Sequence, residues 1–132
     1  MLIKLYEKYI DIKDIKETLI LKAIETDNVN MIDFFVKKGY DINFEEAILL
    51  STFNNKIFRY FLKNKIKIDE SIIDYEFKNR LRDVEVQKAL IDFGHEQIIK
   101  DTVGFDFSLK NDPNSKYADV IRRYEDVDKY NL

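Results

Sequence analysis

The sequence predicts an all-α fold: a short helical-repeat solenoid of helix-turn-helix units with a C-terminal capping helix. Three observations carry that expectation. One nine-residue helical phrase recurs as Met31–Gly39, Ile57–Lys65 and Val86–Gly94, the copies starting 26 and 29 residues apart. That spacing lies in the range that marks stacked repeat arrays. Each copy pairs apolar residues at its fifth and sixth positions, Phe35-Val36, Phe61-Leu62 and Leu90-Ile91, and runs out at Gly39, Lys65 or Gly94. Finally, 3 glycines and 1 proline in 132 residues leave few places for tight hairpins, and the apolar residues follow helical rather than alternating periods.

The first unit is expected over residues 14–43. Ile15 to Glu25 carries Ile15, Thr18, Leu19 and Ala23 at amphipathic spacing. Asp14 is the expected N-cap, with Glu17 completing a capping box. Asp27-Asn28 breaks the chain, Asn30 to Lys38 forms the partner helix, and Gly39 closes it in a left-handed conformation. The second unit, 44–68, repeats the plan. Asn43 caps a helix through Thr52, with Glu46 at its third helical position; Asn54-Asn55 is the break and Lys56 to Asn64 the partner helix.

The third unit, 69–94, is expected to begin a helix at Asp69 and run to about Lys78. It turns near Arg82-Asp83 and continues from Val84 to Phe93 before Gly94. The last, degenerate unit covers 95–127. Glu96 to Val103 reads as a helix ending at Gly104, and Phe105 to Leu109 alternates briefly and reads as extended. Asp112 is expected to cap a helix whose first residue is Pro113, where a missing N–H does no harm. That helix runs to about Glu125 with Tyr117, Val120, Ile121 and Tyr124 on one face, and the final residues fray. No such unit can bury its apolar face alone, so stacking must supply the core.

At this point the chain resembles the ankyrin-repeat family. The best-matching stretch runs from Ala23 through Met31-Ile-Asp-Phe-Phe-Val-Lys-Lys-Gly39 to Tyr40-Asp-Ile-Asn43. It is similar to the family's small-residue helix end, turn, second helix and Gly-Ala-Asp-Val-Asn close. Asp83 to Gly94 fits the same helix at the same spacing, and Gly104-Phe-Asp-Phe-Ser108 echoes Gly39-Tyr-Asp-Ile-Asn43. The resemblance spans residues 15 to 125. The family's opening Thr-Pro-Leu-His phrase is absent, and the copies are shorter than the roughly 33 residues of that repeat. The shortfall points to a lost or reduced β-turn finger. Gly94-His-Glu-Gln-Ile-Ile99 also matches the family's inter-helix Gly-His turn. The register in which Gly94 ends a helix is preferred because it keeps three equivalent helices.

Bulk properties bound the function. One domain over residues 1–132 is long enough to bury a core. A net charge of −3 gives no general pull toward nucleic acid or anionic membrane. The absence of cysteine removes disulfides and thiolate chemistry. Met1 to Ile10 has no uninterrupted apolar core of the kind a signal peptide needs, and no apolar run approaches the about 20 residues that span a bilayer. The expectation is a cytoplasmic protein with no membrane partner.

Candidate chemistry is sparse. His95 is the only histidine, with no serine or cysteine constellation to form a nucleophile-base pair. No catalytic residue, cofactor or metal site is expected. Asp41, Glu45, Glu46, Asp69, Glu70, Asp74 and Glu76 recur at linkers and first-helix starts. Acids there cap helix N-termini and complement the dipole; stacking would also align them into an acidic stripe that attracts a basic partner. Lys56, Arg59 and Lys63 share one helical face, the basis of an alternative reading as a nucleic-acid-binding helical protein. Lysine stems on a solvated outer face explain the same pattern.

What the resemblance implies is non-catalytic protein binding through a concave face of first helices and linkers, as an inhibitor, an immunity-type neutraliser or a host-interference adaptor. The partner is expected to be another protein, one with a basic surface if the acidic stripe forms. Tyr40, Asp41, Phe44, Glu45, Glu70 and Tyr75 are the expected partner-facing residues, because they fall at linkers and first-helix starts rather than mid-helix.

Overall fold

The computed structural model describes residues 12–130. The Met1–Ile10 stretch and the last two residues, Asn131 and Leu132, lie outside them. Among the described residues, eight α-helices and one 3-10 turn account for the regular structure, and no strand occurs. The chain divides into two compact units at the join between Lys67 and Ile68.

The first unit holds α1 (Ile12–Glu25), α2 (Val29–Lys37), α3 (Glu45–Ser51) and α4 (Asn55–Lys63). They form two helical hairpins laid side by side: α1 packs on α3 and α2 on α4. Sequence spacing dictates which faces meet. Ile20, Ala23 and Ile24 on α1 fall within one turn of each other and are buried, as are Ala47 and Ile48 on α3. Ile32 and Phe35 of α2 and Ile57, Phe58, Phe61 and Leu62 of α4 are buried too. Small Ala23 and Ala47 allow close approach of the first helices.

The second unit holds α5 (Tyr75–Leu81), α6 (Val84–Asp92), α7 (Glu96–Thr102), a 3-10 turn (Phe107–Asn111) and α8 (Ser115–Tyr130). Here α6 is the centre: it packs against α5, α7 and α8, and α8 also covers the 3-10 turn. Phe77, Leu81, Val86, Ala89, Leu90, Ile99, Leu109, Tyr117, Val120 and Ile121 are buried.

The three copies of the helical phrase share one local geometry. Each begins with an Asx side chain three residues ahead: Oδ1 of Asn28, Asn54 and Asp83 accepts from the N–H of Met31 (3.0 Å), Ile57 (3.2 Å) and Val86 (3.3 Å). Each ends with a left-handed residue, Gly39 (φ 89°), Lys65 (φ 56°) and Gly94 (φ 81°). That residue's N–H returns to the sixth-position carbonyl, and the next N–H to the fifth: Tyr40 to Phe35, Ile66 to Phe61, His95 to Leu90. This is the paired closure that satisfies the last orphan carbonyls of a helix. Gly94 therefore ends α6, in the register preferred from the sequence.

Several boundaries differ from expectation, each for a local reason. Asp14 lies inside α1 rather than capping it, and its carbonyl accepts the Thr18 hydroxyl (2.8 Å). Asn43 is not a cap. Phe44 occupies the N-cap position of α3 without a side-chain bond, while Asn43 Oδ1 takes the Lys67 N–H (2.9 Å). Asp69 holds a turn by accepting from Ser71, so the third first-helix starts late, capped by Asp74 on Phe77 (2.9 Å). Phe105 to Leu109 is not extended; Asp106 Oδ1 accepts from Ser108 (2.8 Å) and opens the 3-10 turn. Asp112 accepts from Asn114 (2.8 Å), so α8 begins at Ser115 rather than Pro113 and continues past Glu125 to Tyr130. As expected, Tyr117, Val120 and Ile121 are buried on one face of α8, with Tyr124 half-buried beside them.

Candidate functional site

The linker after α2 builds the best-defined feature of the first unit. Gly39 turns the chain out of the helix, and its positive φ would strain any L side chain. Tyr40 then folds back onto Phe35, ring centroids 5.2 Å apart and planes within 7°. The Lys16 ammonium sits 4.8 Å over the same tyrosine ring. Asp41 accepts from the Asn43 N–H (2.8 Å), and Phe44 follows at the start of α3. Lys16, Glu17, Gly39, Tyr40, Asp41, Asn43 and Phe44 surround an open cavity of about 350 Å³.

Three of the six expected partner-facing residues, Tyr40, Asp41 and Phe44, thus line one recess. Glu45 is exposed in the first turn of α3 but does not line it. Tyr40 and Phe44 are only half-exposed, so their rings serve packing as well as the surface. Glu70 and Tyr75 lie in the second unit. Tyr75, the first residue of α5, is 79% exposed. Glu70 lines a separate groove of about 460 Å³ with Ile68, Asp69, Ile73, Lys78, Ile98, Asp101 and Thr102.

The acids at linkers and first-helix starts divide by role. Asp74 caps a helix, Asp41 and Asp69 hold linker turns, and Glu45, Glu46 and Glu76 sit exposed in first turns near the positive helix end. The linkers Gly39–Asn43 and Gly104–Ser108 prove geometrically alike: a left-handed glycine, an aromatic residue, and an aspartate accepting from the residue two ahead. Attachment to the Ser108 hydroxyl and N–H holds the Asp106 carboxyl below its ordinary range.

On α4, Lys56 and Lys63 are exposed, whereas Arg59 is half-buried and donates from Nε to Asn55 (2.8 Å). The same helix carries Tyr60, whose hydroxyl donates to Asp33 of α2 (2.7 Å). Lys37 also pairs with Asp33 at 2.8 Å, so a carboxylate borders the lysine-bearing face. His95 occupies the N-cap position of α7 without a side-chain cap bond. Among the described residues, no group of three or more histidine, aspartate or glutamate side chains is placed to hold a metal ion, and no helix is long and apolar enough to cross a membrane.

Sequence reasoning missed four exposed aromatic side chains. Phe53 (66% exposed) sits in the turn between α3 and α4, Phe34 (51%) on α2, Phe93 (38%) just past the end of α6, and Phe107 (80%) opens the 3-10 turn. Phe34 could have been found: it sits at the fourth position of its copy, outside the buried fifth and second positions. Phe53 and Phe107 carry no periodic signal. What these surfaces offer chemically is aromatic and aliphatic contact, carboxylate hydrogen bonds and cation-π pairing. Compared with protein-family models, curated proteins and solved structures, the chain matches none of them.

Proposed function

We propose that the chain is a non-catalytic protein-binding module whose helical hairpins are degenerate, shortened repeats of one ankyrin-like unit, with α8 as the closing helix of a short array. It binds its target through linkers and first-helix starts. The roles that suit such a binder are inhibitor, immunity-type neutraliser or host-interference adaptor. The observation that carries this reading is the recess around Tyr40, Asp41 and Phe44. Two rings and a carboxylate converge there on a turn fixed by Gly39 and by the Asp41–Asn43 hydrogen bond. A surface held this firmly engages a partner at small ordering cost, and aromatic anchors beside a charged group are the usual centre of an interface.

Affinity capture from the native source with the full chain as bait, read by mass spectrometry, tests it. Alanine changes at Asp41, Phe44, Glu45, Glu70 and Tyr75 should each weaken the captured complex while leaving the helical melting transition nearly in place. Tyr40→Ala should weaken both, since its ring packs on Phe35. Retention of the partner by all six variants would refute the reading.

A further inference from the structure

The two alike linkers differ sharply at one position. Between the aspartate and the residue it bonds, the first linker has Ile42, 5% exposed, and the second has Phe107, 80% exposed. Phe107 thus adds little to the core, although its counterpart belongs to it. Its ring carries a charge instead. The Lys110 ammonium sits 5.2 Å from the ring centroid, within the about 6 Å reach of a cation-π contact. The same Nζ pairs with Oε1 of Glu125 on α8. Ring, ammonium and carboxylate all line a recess of about 170 Å³, together with Phe105 and Tyr124, whose rings pack 5.4 Å apart.

We infer that this recess binds an arginine side chain of a partner protein, the guanidinium replacing the Lys110 ammonium between the Phe107 ring and the Glu125 carboxylate. The inference rests on the protein-binding reading and gives it a second contact and a partner chemistry. Lys110 shows what the place accepts: one cation held by a ring and a carboxylate at once. That lysine is easily exchanged. Its side chain and that of Glu125 are 39% and 52% exposed, and an exposed pair of flexible side chains is weak. Arginine suits the place better. A guanidinium stacks flat on an aromatic face, is less strongly hydrated than an ammonium, and meets both carboxylate oxygens where an ammonium meets one. The volume falls below the roughly 300–1,000 Å³ of small-molecule sites and fits one long side chain. The first linker holds the same combination, with Lys16 over the Tyr40 ring and Asp41 lining that recess.

The test uses the ¹⁵N-labelled full chain and three capped tripeptides: Gly-Arg-Gly, Gly-Lys-Gly and Gly-citrulline-Gly. The arginine peptide should shift the amides of residues 105–110 and 122–125. Citrulline keeps the shape of arginine without its charge and should bind about tenfold more weakly, with lysine in between. Lys110→Ala removes the internal competitor and should tighten arginine binding about threefold, a gain that a merely structural lysine would not give. Phe107→Ala and Glu125→Gln should each weaken it about fivefold. Absence of shifts at 105–110, equal binding of either control peptide, or weaker binding by a Lys110→Ala variant that melts like wild type would overturn the inference. If it falls while the captured partner still perturbs residues 40–45, the broader binding reading stands. If the partner perturbs neither region, both fall.

Discussion

The side chain of Gln87 is buried to 1% exposure and holds the backbone of Asp106: its Oε1 accepts the Asp106 N–H at 2.9 Å. The same amide donates to the Leu81 carbonyl (2.9 Å) and the Gly104 carbonyl (3.1 Å). Gln87 occupies the second position of its copy, where the other two carry buried Ile32 and Phe58. One polar side chain in an otherwise apolar position thus ties α6 to the end of α5 and to the linker after α7. Gln87→Leu keeps the volume but leaves two carbonyls and one N–H without their partner. A loss of about 3 kcal/mol is expected, from a cost of roughly 1–3 kcal/mol per buried orphan group. Urea denaturation monitored by circular dichroism checks it; a loss under about 1 kcal/mol would show that water replaces the amide.

Closure of the three copied helices predicts opposite effects at equivalent positions. Lys65 adopts φ 56° where the other copies have glycine. An L side chain in that region costs about 1–2 kcal/mol, offset in part by the chain entropy glycine loses on folding. Lys65→Gly should therefore stabilise by about 0.5–1 kcal/mol. At Gly39 an added Cβ meets no atom within 4 Å, so Gly39→Ala should destabilise through backbone strain alone, by about 1 kcal/mol. Thermal melting of the two variants, side by side, gives the signs.

The three N-caps share one Asx-to-N–H bond and should each contribute to stability. Asn28→Ala, Asn54→Ala and Asp83→Ala each remove the acceptor for a first-turn N–H and should each cost about 1 kcal/mol. Asp83 accepts from both Glu85 and Val86 and also pairs with Arg80 at 3.6 Å, so its loss should be the largest of the three. Equilibrium unfolding of the three variants would contradict this if any cap proved neutral.

Tyr60 and Asp33 predict a response at alkaline pH. Burial, and then the hydrogen bond to Asp33, push the Tyr60 hydroxyl up to about 12. In the unfolded chain a tyrosine loses its proton near 10. Because the folded value is the higher one, this contribution to stability is fully present below pH about 10 and is lost as the pH climbs through about 12. Tyr60→Phe should flatten stability across that window and cost about 1 kcal/mol at neutral pH, the worth of one hydrogen bond. Asp33 moves the other way. Hydrogen bonds from Lys37 and then Tyr60 hold its carboxyl below the ordinary range, so its contribution is present above the unfolded value and fades as the pH falls. Tyrosine-selective NMR titration of wild type and variant separates the two.

Much of the helical plan is legible in the residues because its signals are local. Asn28, Asn54 and Asp83 each accept from an N–H two or three residues away, and Gly39 and Gly94 close helices through carbonyls three to five residues back. The first helices are harder to place because their polar residues chose other partners. Asn43 looks like a cap yet bonds Lys67, 24 residues on, and Asp69 spends its carboxylate on a turn ahead of the helix. Tyr40 shows the same limit at the candidate site. Its exposure could be guessed from its linker position, but the residue after a left-handed helix close commonly packs back on the last turn, and its ring does so on Phe35. The groove around Ile68, Ile73 and Ile98 depends on tertiary placement of α7; of its acids, Asp69 and Glu70 stood out in the sequence and Asp101 did not.

The most direct measurement is amide chemical-shift mapping of the full chain titrated with the partner recovered by affinity capture. The predicted result is perturbation at residues 40–45 and 69–75, with the buried residues of α2, α4 and α6 little changed. Perturbation centred instead on Lys56, Arg59 and Lys63 would contradict the account and move the binding surface to the face of α4.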